Sequence, residues 1–61
     1  MTVGQAANLG QDAVDVAFES IEPFPFLVGA VVGACEMYSD AELAAFVRSM
    51  AARVMARRVT P

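Results

Sequence analysis

Cys35 is the single cysteine of the chain, and no histidine accompanies it. Acid–base work near neutral pH draws first on histidine, because only its ordinary pKa lies in that range. A cysteine attacks as its thiolate, which forms beside a cation or at a helix N-terminus. Cys35 has no basic neighbour in sequence and lies in the most apolar stretch, so its expected place is the core. Asp12, Asp15, Glu19 and Glu22 recur at spacings of three and four residues, which aligns them on one side of a helix. Such a row could bind a cation. With no histidine and no second cysteine near it, the row reads as a solvated stripe. A zinc site needs four ligands, mostly cysteine and histidine, and the chain cannot supply them. No phosphate-cradling glycine loop and no calcium loop is present. The expectation is a protein with no catalytic residue, no metal and no cofactor, and therefore not an enzyme.

The remaining chemistry is charge and shape. All seven acids lie at or before Glu42, and the four basic residues Arg48, Arg53, Arg57 and Arg58 all follow it. Arginines can hold phosphates, but non-specific nucleic-acid binding draws on several contacts from a net basic face. This chain carries a net charge of −3 and no helix-turn-helix, zinc-finger or RNA-binding signature. A nucleic-acid-associated regulator is thus the alternative reading, requiring an oligomer to gather the arginines into one patch. The first reading is intramolecular: parallel first and third helices would bring Glu19 and Glu22 near Arg53, Arg57 and Arg58. Gly29 and Gly33 form a small-xxx-small pair, the spacing at which two helix backbones approach closely. Ala6, Gly10, Ala13 and Ala17 repeat small residues upstream, so a tight contact of helix 1 with helix 2 inside one chain is the first reading and a contact between chains the second.

These residues need helices to hold them, and the sequence predicts three. Thr2 followed by Gln5 is a capping box, opening a helix over about 3–21. Val3, Ala6, Ala7, Gly10, Ala13, Val14, Ala17, Phe18 and Ile21 fall on its apolar face at a period of 3.6 residues. Glu22-Pro23-Phe24-Pro25 breaks the pattern, since proline removes a donor and disfavours helix just before it. A second helix follows over about 25–38, with Pro25 in its first turn. It is apolar on nearly every side, the pattern of a buried helix. Ser39 and Glu42 form another capping box, starting a third helix over about 40–58 with Thr60-Pro61 as a frayed tail. Leu43, Val47, Met50 and Val54 make a 4-3-4 seam, the spacing of a short coiled coil. Phe18, Phe24, Phe26, Phe46, Met50 and Met55 are expected in the core, and any left exposed would form a partner surface.

Composition sets the scale. A chain of 61 residues makes one domain, and a domain this small is marginal without a staple. No internal disulfide can form. Hydrophobic residues make up 57% and charged residues 18%, against about 45–50% and about 25% in typical soluble domains. Oligomerisation, or unusually good helix packing, is the remaining way to secure the fold. The fold expected is all-α: a compact up-down-up three-helix unit over 1–61 with the hydrophobic middle helix buried.

The function expected is a non-enzymatic protein–protein interaction factor that pairs with itself and docks on another protein. Candidate interface residues are Gly29, Gly33, Phe24, Phe26, Leu43, Val47, Met50 and Val54. A membrane span is not expected. The uncharged run from Pro23 to Cys35 has 13 residues, about 20 Å as a helix against a hydrocarbon core of about 30 Å. A membrane-surface protein anchored by Pro-Phe-Pro-Phe is the second alternative. The N-terminus shows no secretory pattern and a lone cysteine suits a reducing compartment, so a cytoplasmic place is expected. Arginine without lysine, beside abundant alanine and valine, points to a GC-rich genome. Short reading frames are common in phages and among small bacterial regulators, and a factor of either kind is the expected type.

Overall fold

The computed structural model describes residues 1–59; the Thr60-Pro61 tail expected to fray lies outside the described residues. Three helices form, α1 (Val3–Ala17), α2 (Pro23–Met37) and α3 (Asp40–Val59), with no strand among the described residues. They pack into one compact unit whose Cα atoms span 34 × 20 × 12 Å.

Both predicted capping boxes are present. The Gln5 N–H donates to Thr2 Oγ1 at 3.1 Å, and the Thr2 N–H donates to Gln5 Oε1 at 2.7 Å. At α3 the Glu42 N–H donates to Ser39 Oγ at 3.3 Å, and the Ser39 N–H donates to Glu42 Oε1 at 3.0 Å. Each pair satisfies two of the donors that a helix start leaves without partners. Tyr38 is extended, with φ −99° and ψ 149°, so α2 and α3 are separate helices. Asp40 and Glu42 lie in the first turn of α3, with Arg57 and Arg58 in its last, and each charge complements the helix dipole.

Two boundaries differ from expectation. α1 stops at Ala17 rather than near Ile21. The Glu19 N–H turns back to the Val16 carbonyl at 3.1 Å and the Ser20 N–H to Ala17 at 3.0 Å. These three-residue bonds tighten the last turn and satisfy its carbonyls without further α-helix. Ile21, placed by its period on the apolar face, is fully exposed, so no burial draws the helix onward. α2 begins at Pro23, two residues early, because both prolines fit in the first turn, where backbone donors have no intrahelical acceptor anyway.

The core is built where α1 meets α3. Ala6, Gly10, Val14 and Ala17 are the buried residues of α1, spaced as its apolar period predicts. Gly10 lies against the backbone of α3. A methyl group there would overlap the Phe46 carbonyl oxygen and come within 3.2 Å of the Phe46 carbonyl carbon and of Ser49 Cβ. The Ser49 hydroxyl donates to the Ala7 carbonyl at 2.5 Å, a second tie at the same crossing. Phe46 and Met50 complete the centre with Ala34 from α2, and Tyr38 packs edge-on to Phe46 with ring centroids 5.4 Å apart.

This arrangement corrects three expectations. The small residues of α1 find α3, not α2. A Cβ built on Gly29 or Gly33 has nothing within 4 Å, so the tight glycine contact inside the chain is at Gly10. The middle helix is also not buried: Ala34 is its one buried residue, with Leu27, Ala30, Val31 and Tyr38 partly covered. The cause is geometric. Once α1 and α3 lie this close, α2 has only one stripe left to set against them. The seam on α3 shifts as well. Phe46 takes the inward position expected of Val47, which is exposed, and the packed stripe reads Leu43, Phe46, Met50 and Val54. Phe46 is the larger side chain, and its ring packs edge-on to Tyr38. Of the other side chains expected in the core, Phe18 is half-buried, while Phe24, Phe26 and Met55 are exposed.

Two variants test these contacts. Gly10→Ala gains about 1 kcal/mol of helix propensity yet overpacks the crossing, a change that costs about 1–3 kcal/mol. A lower urea midpoint is expected, and a raised one would show that α1 and α3 can separate without loss. Ser39→Ala removes the α3 cap and should cost about 1 kcal/mol, read as a drop in melting temperature.

Candidate interaction surface

Two features outside the core bear on function: a polar seam along α1 and α3, and the outward side of α2. The seam follows from register. Ala7 meets Ser49, Gln11 meets Arg53, and Asp15 meets Arg53 and Arg57. Partners advance together along both helices, so α1 and α3 run parallel. Asp15 Oδ1 lies 3.4 Å from Arg53 Nε and 3.6 Å from Arg57 Nη1. Arg53 Nη2 donates to Gln11 Oε1 at 3.4 Å. The Arg57 guanidinium stands 4.8 Å from the centroid of the Phe18 ring, a cation over an aromatic face. Phe18 in turn meets Phe24 edge-on at 6.5 Å, linking the seam to the start of α2.

The charge pairing expected for Arg53 and Arg57 therefore falls on Asp15 rather than on Glu19 and Glu22. The early end of α1 explains the shift, since Glu19 and Glu22 lie beyond its last turn, past the point where α1 and α3 are in register. The fifth residue of the expected cluster, Arg58, reaches the Met55 sulfur at 3.9 Å. Gln11 and Ser49 went unnoticed in the sequence. Their signal is a polar residue beside an apolar stripe: Ser49 follows Phe46 by three residues and precedes Met50.

The second feature is the outward side of α2. Phe24 is 69% exposed, Val28 63%, Val32 52% and Met37 81%. Pro25, Phe26, Gly29 and Cys35 are exposed beside them. Cys35 was expected in the core. It faces outward because the inward stripe of α2 is Leu27, Ala30, Val31, Ala34 and Tyr38, and Cys35 lies off that line. Of the candidate interface residues, Leu43, Met50 and Val54 are taken up by packing inside the chain. Phe24, Phe26, Gly29 and Val47 are exposed, and Gly33 is half-exposed. An exposed apolar side of this kind is often where a protein meets a partner. The charges on it are at its ends, Glu22 and Glu36.

Among the described residues no three histidine, cysteine, aspartate or glutamate side chains gather where they could hold a metal ion. A shallow hollow of about 370 Å³ beside the start of α1 is lined by Met1, Gln5, Asn8 and Leu9, none with a catalytic side chain. Among the described residues no helix is long and apolar enough to cross a membrane. Compared with protein-family models, curated proteins and solved structures, the chain matches none.

Asp15 is the one acid that both seam arginines share. Exposed pairs of this type contribute about 0–1 kcal/mol each, and Asp15→Asn removes two. A loss of about 1 kcal/mol is expected at low salt, shrinking as added salt screens the native pairs. Denaturation of both proteins at about 0.05 M and about 0.5 M sodium chloride reads the difference; a gap that does not narrow would show that packing, not charge, holds the seam.

Proposed function

We propose that the chain is a non-enzymatic interaction protein that works by associating with itself and, through that assembly, docking on another protein. The observation that carries this reading is the outward side of α2, an apolar surface more than half exposed at Phe24, Val28, Val32 and Met37. Leaving such a surface in water costs about 25 cal/mol for each Å² that an interface would bury. A closed two-fold pair is the commonest way for identical chains to bury such a surface. Gly29 and Gly33 support the same reading, since a Cβ built on either meets nothing within 4 Å and both permit close approach of another helix. The up-down-up course belongs to this proposal: with α1 and α3 parallel, α2 returns between them and keeps its outer side toward the partner. A small regulatory or phage-encoded factor acting in the cytoplasm fits an assembly of this size.

The nucleic-acid reading loses ground because Arg53 and Arg57 are engaged by Asp15. Attachment to a membrane surface has one observation in its favour, the exposure of Phe24 and Phe26. Against it, Glu22 and Glu36 bracket that surface, and acids are repelled by the anionic lipids of cytoplasmic leaflets.

Light scattering across a dilution series tests the proposal. A mass of two chains at micromolar concentration is expected, shifting toward one chain on Gly29→Leu with the helical spectrum kept. A mass that stays at 6.4 kDa at high micromolar concentration overturns it.

A further inference from the structure

If α2 is covered by a second copy, the face that covers it can be identified. A specific interface buries about 800 Å² per partner. The outward half of α2, a cylinder about 22 Å long and about 10–12 Å wide, offers roughly 400 Å². A second face of each chain must therefore take part. Pairing α2 with another α2 supplies none. It also sets carboxylate against carboxylate: Glu22 and Glu36 meet their own copies in a parallel pair, and each other or Asp40 in an antiparallel one.

The outer side of α3 has the complementary character. Val47 and Arg48 are followed by Ala51, Met55 and Arg58 at three- and four-residue spacings, and all five are exposed. Ala51 and Ala52 leave room for the bulk of Phe24, Val28 and Val32. Arg48 and Arg58 form no ion pair among the described residues, whereas Arg53 and Arg57 are held by Asp15. Glu22 and Glu36 stand about 21 Å apart along α2, and Arg48 and Arg58 about 15 Å apart along α3. The long side chains span the difference of about 3 Å at each end.

We infer that the outer face of α3 from a second copy covers the outer face of α2, with Glu22 and Glu36 meeting Arg48 and Arg58 at the rim; this rests on the self-association proposed above. In a two-fold pair the contact occurs twice, and α2 and α3 together supply the area that α2 alone lacks. Apolar side chains fill the centre and charges lie at the edge, where they set register and specificity.

Charge reversal reads the pairing. One chain carries Glu22→Arg with Glu36→Arg, a second carries Arg48→Glu with Arg58→Glu, and a third carries all four. Light-scattering dilution series and helical spectra are recorded for each beside the wild type. Each double variant should associate about tenfold or more weakly, because attraction at the rim becomes repulsion. The fourfold variant, again self-complementary, should recover wild-type association, which a fault in folding would not do. Mixing the two double variants should also restore it. An Arg48→Glu, Arg58→Glu chain that associates as tightly as the wild type overturns this pairing while leaving self-association standing. A wild-type chain that stays single removes both, and its pelleting with phosphatidylcholine vesicles would give the α2 face to lipid.

Discussion

The rest of the structure depends on how closely α1 and α3 approach at Gly10. The absence of a side chain there lets the Phe46 carbonyl sit where a Cβ would otherwise be. The Ser49 hydroxyl closes the same crossing on the Ala7 carbonyl, so a polar group buried at the contact has a partner. From this crossing the register of both helices follows. Gln11 and Asp15 come opposite Arg53 and Arg57, and Phe46 and Met50 turn inward. Close packing of this kind tolerates little change in volume.

The position of α2 is a consequence. A pair of helices at close approach presents a groove on each side, and α2 sets Leu27, Ala30, Val31, Ala34 and Tyr38 against one of them. A 15-residue helix that is apolar all round cannot hide its opposite side in the same groove. The exposed Phe24, Val28, Val32 and Met37 are thus the result of a small chain whose strongest contact is made elsewhere. The same geometry gives the proposed function its physical basis. Chains of about 60 residues bury too little surface to be secure alone, and an uncovered apolar helix is the surface a partner would use.

The charges follow a division of labour. Asp15 holds Arg53 and Arg57 beside α1 and places Arg57 over Phe18, which leans on Phe24 at the start of α2. These contacts are individually weak at the surface, and their effect is to orient the turn over 18–22. Arg48 and Arg58 lie apart from this cluster, on the outer side of α3, while Glu22 and Glu36 mark the ends of α2.

Local chemistry was legible in the residues alone. Thr2 with Gln5 and Ser39 with Glu42 announced two helix starts, because a capping box is a contact across three residues and needs nothing from the rest of the fold. The Pro23 and Pro25 break and the apolar period of α1 were read the same way. Which small residues would meet was not legible. Gly10, Gly29 and Gly33 are alike in sequence, and only the three-dimensional competition among helices sent Gly10 against Phe46 and left the other two without a close helix contact. The same competition moved the ion pairs to Asp15, left Val47 outside the seam expected for it and exposed Cys35. A helix period names the face that is apolar. Which partner covers that face is settled by the sum of all contacts, a quantity that belongs to the tertiary structure.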